Sequence, residues 1–186
     1  RNGAWEAVLE NAYDIIVTGE INGEDTLSFK IPYRDGKRGY IDSEKKIQIV
    51  DDMYKVRTVT DTRDTDGSAV TEVYAEAEFY DLTFSVRKEE RTFEAEYPET
   101  AMAYALEGTE WSVGTVTVRT QRTWTSTEKN ALSILRNTAD LHGGDLVFDC
   151  PNRLVHLLTV NGRDSGALFA YRKNMKSIQR VVDTRE

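Results

Sequence analysis

The chain has 186 residues, of which 39% are hydrophobic and 10% aromatic, enough to pack a core in one larger domain or two small ones. Its formal charge of −8 argues against a grip on nucleic-acid phosphates, its single cysteine, Cys150, excludes an intrachain disulfide, and no apolar run approaches the ~18 residues of a membrane span. The acidity is one-sided: residues 1–96 hold 13 Lys and Arg against 22 Asp and Glu, whereas residues 97–186 hold 11 against 10.

Neither a basic stripe nor a signal-peptide pattern is present, and the cysteine usage fits a reducing compartment during folding. The start at Arg1, without Met, reads as a trimmed or internal piece.

Residues 4–17 carry Trp5, Val8, Leu9, Ile15, Ile16 and Val17 and become strand-like before Thr18-Gly19. Asn22-Gly23 supplies a turn, after which Leu27, Phe29 and Ile31 alternate with polar residues up to Pro32, the period of a half-buried strand with an edge or an end at the proline. Ile47 and Ile49 alternate again. Tyr54, Val56 and Thr58, then Val73, Ala75, Ala77 and Phe79, flank Asp64-Thr65-Asp66-Gly67 and read as a long antiparallel hairpin. Residues 1–90 therefore predict a small β-barrel or sandwich.

From Tyr97 the texture changes. Pro98 suits a first helical position, Ala101, Met102, Ala105 and Leu106 form a stripe, and Gly108 suits a left-handed stop. Trp111, Val113, Thr115, Val116 and Val118 predict a strand. Thr125-Ser126-Thr127-Glu128 reads as a capping box for a second helix through Ala131, Leu132, Ile134, Leu135 and Ala139, stopped at Gly143-Gly144. Leu146 and Phe148, then Val155, Leu157 and Thr159, then Leu168 and Ala170, then Ile178, Val181 and Val182 read as strands, with a turn at Asn161-Gly162. The fold class is thus β-rich α+β, with residues 97–186 a small α+β domain of order helix, strand, helix, strands, and the two halves are expected to pack together.

Residues able to do chemistry are few. Cys150 has no flanking signature, His156 sits in an apolar strand, and His142, in a last helical turn, suits a partner for the helix C-terminus. With two histidines and one cysteine the chain predicts no metal site, no cofactor and no catalytic residue. Asp64-Thr65-Asp66-Gly67 fails the calcium-loop template at Thr62 and Val73, so a hairpin turn explains it better. Glu72, Glu76, Glu78 and Asp81, with Tyr74 and Tyr80, are candidates for a glycosidase carboxylate pair, which needs a separation of ~5–9 Å. Trp111 should be buried, and Trp124, among Thr123, Thr125 and Ser126, is the better candidate for an exposed contact with a sugar ring.

Four segments carry a resemblance: Ile21-Asn22-Gly23-Glu24 with Leu27-Ser28-Phe29, Gly108-Thr109-Glu110-Trp111-Ser112-Val113-Gly114, Gly143-Gly144-Asp145-Leu146, and Lys173-Asn174-Met175-Lys176. They resemble the N-terminal hub region of phage and prophage tail-tip proteins, the minor tail structural protein or prophage tail endopeptidase family, similar to the baseplate hub of contractile-tailed phages. The resemblance implies a β-barrel followed by smaller α+β parts. It also implies a homotrimeric ring that closes the distal end of the tail tube, docks on the distal tail protein, and opens for the tape measure and DNA. It further implies a virion tail-tip location after assembly in the bacterial cytoplasm, with receptor-binding or wall-degrading domains carried downstream. None of the four segments is a catalytic motif. Such regions continue beyond the segment matching Val181-Val182-Asp183, so this piece, ending at Glu186, is expected to lack part of the ring wall and any downstream enzyme. Two rival readings are a carbohydrate-binding module, with Trp124 or the tyrosines of residues 72–80 exposed in a groove, and a carboxylate-pair glycan hydrolase.

Overall fold

The computed structural model describes residues 6–50, 52–63, 65, 67–87, 89–127, 130–160 and 162. Asn22 takes a left-handed conformation (φ 58°), and the turn it makes with Gly23 joins β1 (Tyr13–Gly19) to β2 (Asp25–Pro32). Asparagine tolerates that region better than most residues with a side chain. A second hairpin joins β4 (Asp52–Arg63) to β5 (Ala69–Ala77), and β3 (Lys46–Ile49) pairs with the start of β4. The five strands form one antiparallel sheet of order β1-β2-β5-β4-β3 that curls into a half-barrel. Its inner face is the alternation seen in the sequence: Leu27, Ile31, Val56, Val73 and Ala75 are buried there.

The alternation ends earlier than expected. Phe79 belongs not to β5 but to a 3-10 helix, Glu78–Phe84, which turns the chain under the sheet and buries Glu78, Phe79 and Leu82. Next come β6 (Arg91–Glu96), α1 (Pro98–Leu106), β7 (Ser112–Val116), β8 (Arg122–Ser126), α2 (Ala131–His142), β9 (Asp145–Asp149) and β10 (Leu154–Leu158). β6 and β8 form a two-stranded ribbon, and β7-β10-β9 a mixed sheet in which β10 runs parallel to β7 and antiparallel to β9.

Pro98 starts α1 at its first turn, and Gly108 (φ 70°) follows its end. The start of α2 departs from expectation. Ser126 is paired in β8 opposite Arg91, Glu128 lies outside the described residues, and the cap is Asn130, whose side-chain oxygen accepts the Ser133 N–H at 2.9 Å. Substituting Asn130→Ala should cost about 1 kcal/mol in urea unfolding, whereas Asn130→Asp should retain most of it.

One apolar core runs through both halves. Leu132, Ile134 and Leu135 of α2 share it with the inner face of the first sheet, and Phe79 stacks on Phe148 with ring centroids 4.0 Å apart. Polar contacts lock the same junction. The Asn22 amide donates to the Gly144 carbonyl at 3.0 Å and accepts from the Leu146 N–H at 2.6 Å, while the Gly23 carbonyl accepts from Arg136 at 2.7 Å. The strands expected at Leu168–Ala170 and Ile178–Val182, and Trp5, lie outside the described residues.

Candidate functional site

The acidic residues singled out in the sequence are tied to cations. Arg57 donates to Glu76 at 3.1 Å, to Asp81 at 2.6 Å and to Glu44 at 3.0 Å; Lys55 reaches Asp81 at 3.1 Å and also pairs with Glu44. Glu72 pairs with Lys30 at 3.6 Å, and Glu78 is held by Lys46 and by Arg153, the latter at 3.3 Å. The four do not share one strand face, because Glu78 and Asp81 sit on the 3-10 helix beyond β5. A glycosidase acid needs its carboxyl held protonated near neutral pH. Asp81 is moved the other way: burial raises its pKa, but the hydrogen bonds and charges of Arg57 and Lys55 outweigh it and leave the carboxyl below its ordinary value.

Cys150 is half-buried beside Glu78 and Phe79, and burial pushes its thiol up to about 11. That disfavours the thiolate a nucleophile requires. His156 accepts the Thr115 N–H at Nδ1, at 2.8 Å, and its ring packs against Gly114, where an added Cβ would stand 2.6 Å from the ring. The glycine in Ser112-Val113-Gly114 is therefore a seat for an imidazole that braces β7 against β10.

His142 lies in the last turn of α2, where the sequence made it a partner for the helix C-terminus. It is buried, its Nδ1–H donates to the Thr120 carbonyl at 3.0 Å, and the Thr120 hydroxyl donates to the His142 carbonyl at 2.9 Å. Desolvation is the largest influence and lowers its pKa from the ordinary 6.5. The ring is thus neutral, and Arg122, donating to the Leu141 carbonyl at 3.2 Å, brings the positive charge to the end of α2. Since the unfolded chain takes up this proton more readily, stability is fully present above pH 6.5 and falls as pH drops through 6.5 toward the folded value. An NMR titration of the His142 ring should give a midpoint below 6.5, and His142→Asn should flatten the loss of stability between neutral pH and that midpoint.

The aromatic residues are mostly structural. Trp111 is buried, as expected, edge-on to Phe148 and beneath Arg153, whose guanidinium carbon is 5.2 Å from the ring centre. Trp124 is not an exposed platform: it packs on the core with its ring centre 4.9 Å from that of Phe93, and its indole nitrogen is buried. Its polar neighbours in sequence point away from it by strand alternation, which the flanking Thr residues could not reveal. Tyr80 is half-buried against Phe79, whereas Tyr74 keeps 37% of its surface exposed on the outer face of the first sheet. Among the described residues no three His, Cys, Asp or Glu side chains group so as to hold a metal ion, and no helix is long and apolar enough to cross a membrane.

What the geometry builds most firmly is the junction at the β1–β2 turn, where Asn22, Gly23, Gly144 and Leu146 interlock. These positions lie within the segments that carried the resemblance, and their roles are turns, close approaches and bridging amides rather than reaction chemistry.

Comparison with known proteins identifies the family. Residues 1–77 match the model of the prophage endopeptidase tail N-terminal domain, and residues 85–157 that of the prophage endopeptidase tail domain. The chain belongs to the prophage tail proteins. Solved structures agree in fold. Prophage tail protein gp18 from Listeria monocytogenes EGD-e superposes with a TM-score of 0.74 at 13% identity, over 91% of this chain and 52% of that one. The tail protein from Neisseria meningitidis MC58 gives 0.55 at 12% identity, over 85% and 48%. The 43 kDa tail protein of prophage MuSo2 from Shewanella oneidensis gives 0.52 at 11%, over 83% and 52%. This tail-protein chain thus spans about half the length of those relatives. No curated protein sequence matches it.

Proposed function

We propose that this chain is a structural part of a phage or prophage tail tip, a baseplate hub region that acts by assembly and not by catalysis. The adjoining matches to two endopeptidase tail domains carry the reading. The pairing of Glu76 and Asp81 with Arg57, and of Glu78 with Lys46 and Arg153, supports it by giving the conspicuous acids structural employment. In this reading residues 1–90 form the tube-closing domain and residues 97–186 a second small domain. The full-length protein forms a homotrimeric ring at the distal end of the tail tube, meets the distal tail protein and the tape measure, and carries any host-recognition or wall-degrading domain downstream. It assembles in the bacterial cytoplasm and resides at the virion tail tip.

Immunogold electron microscopy on particles released from an induced producer culture tests this. Gold clustered at the tail end far from the capsid supports a tail-tip hub, whereas accessible, intact tails left unlabelled overturn it. A second reading, glycan binding, has one observation in its favour: Tyr74 lies exposed beside Ser28 and Thr58 on the outer sheet face. Soluble cell-wall glycans that raise the melting temperature of the wild type and not of Tyr74→Ala would establish it.

A further inference from the structure

The outer face of the first sheet carries two adjacent rows of side chains. Ile16, Ser28, Tyr74 and Thr58 stand opposite one another across β1, β2, β5 and β4, and Lys30, Glu72 and Thr60 form the next row across β2, β5 and β4. Three strand spacings of ~4.8 Å make the first row roughly 14 Å long. Together with Asp14, the two rows line a hollow of about 530 Å³. That volume lies within the ~300–1,000 Å³ of small-molecule sites.

A strand irregularity builds one wall of the hollow. From Tyr13, opposite Lys30, to Ile16, opposite Ser28, β1 uses three residues where β2 uses two. The extra residue makes a β-bulge, and Asp14 within it takes φ 50°, a left-handed conformation that costs a residue with a side chain free energy. Bulges re-aim side chains, and this one leaves the Asp14 carboxylate 3.4 Å from Lys30 Nζ, which also lies 3.6 Å from Glu72. Both separations exceed the ~2.7–2.9 Å of a direct charge-assisted hydrogen bond, so the ammonium and the two carboxylates keep donors and acceptors for a ligand.

We propose that this hollow is a binding site for a short, uncharged oligosaccharide. The inference rests on the glycan-binding reading and deepens it by naming the ligand class and the groups that take it; it does not depend on where the chain sits in a virion. Tyr74, 37% exposed, offers an apolar ring to the C–H face of a pyranose, and Ile16, 59% exposed, adds apolar surface at one end of the row. The hydroxyls of Ser28, Thr58 and Thr60 both donate and accept, as sugar hydroxyls do, while Asp14 and Glu72 accept from neighbouring sugar hydroxyls. Charge selects among glycans. Two carboxylates, with side chains 61% and 54% exposed, face one ammonium, so the lining is net negative and disfavours chains bearing phosphate or uronate.

Titrations of the unaltered chain followed by backbone-amide NMR test it, with cellotriose, maltotriose and tri-N-acetylchitotriose as uncharged probes and trigalacturonate as the anionic one. At least one uncharged probe should shift the Ser28, Lys30, Glu72 and Tyr74 amides saturably, and Tyr74→Ala should weaken that binding about 10-fold. Trigalacturonate should bind about 10-fold more weakly than the same probe. The double variant Asp14→Asn, Glu72→Gln leaves Lys30 uncompensated and should reverse that preference. Silence of all three uncharged probes overturns the glycan reading and this site with it. Saturable shifts confined to other amides keep the glycan reading and overturn the site. Equal affinity for trigalacturonate, or a preference that the double variant does not move, overturns the selection by charge. Shifts of the same amides by trilysine and by no sugar would assign the hollow to a basic peptide and overturn the proposal.

Discussion

Gly144→Ala is expected to lower the melting temperature by about 8–16 °C. The position has φ 116°, and an added methyl would stand 2.7 Å from the Leu158 carbonyl oxygen and 2.8 Å from Cγ2 of Val118. The first of these is backbone, so it cannot swing aside. A disallowed conformation costs about 1–3 kcal/mol and overpacking a similar amount, together about 4 kcal/mol, and each kcal/mol shifts a domain of this size by about 2–4 °C. Gly143 is the built-in control: it also has positive φ, 80°, but nothing within 4 Å of its added Cβ. Gly143→Ala should therefore show only the strain. If calorimetry found the two variants equally stable, close packing at Gly144 would not be the reason for the glycine.

The second large effect concerns Glu78, a carboxylate with 6% of its side chain exposed, held by Lys46 from β3 and Arg153 from the β9–β10 turn. Removing both cations with Lys46→Met and Arg153→Met strands a charge in the core. That should cost about 3–5 kcal/mol in urea unfolding, the usual penalty for orphaning a buried ion. Glu78→Gln should cost less, about 1–2 kcal/mol, because Lys46 and Arg153 are 47% and 29% exposed and water can take them up. An equal loss from both would mean that packing, and not charge, explains the site.

How far the sequence could be read depended on how local each signal was. β2 and β5 were legible because one face of each is buried and the other wetter, which alternation records directly, while the turn from β1 was marked by Asn22-Gly23. The end of α2 was legible because Gly143-Gly144 is a local stop. β6 was missed, since Arg91-Thr92-Phe93-Glu94-Ala95-Glu96 offers one large apolar residue, and its strand exists only because β8 pairs with it. The capping box at Thr125–Glu128 fitted a local template, but sheet pairing claims Ser126 and leaves the capping to Asn130. Phe79 continued the alternation of β5 on paper, whereas the ladder with β4 ends at Ala77 opposite Tyr54.

At the candidate site the acids were visible and their partners were not. No rule of spacing joins Arg57 to Asp81 or Glu78 to Arg153, because those pairs arise from the curl of the sheet and the approach of the second half. Family likeness carried the function further than any residue chemistry did, and the structure explains why its motif positions are demanding: Asn22 bridges, Gly114 seats a ring and Gly144 admits a carbonyl.

The clasp between Asn22 and Gly144 also sets a schedule for synthesis. Its two partners are 122 residues apart in the chain. At ~5–20 residues per second a ribosome needs roughly 6–24 s to deliver the second after the first. For the later part of that interval, once Ala77 has completed the first sheet, the inner apolar face still lacks its cover from α2, and a nascent-chain chaperone has time to engage it. Heterologous production should therefore respond to slower growth and added holdase more than the modest size of the chain would suggest.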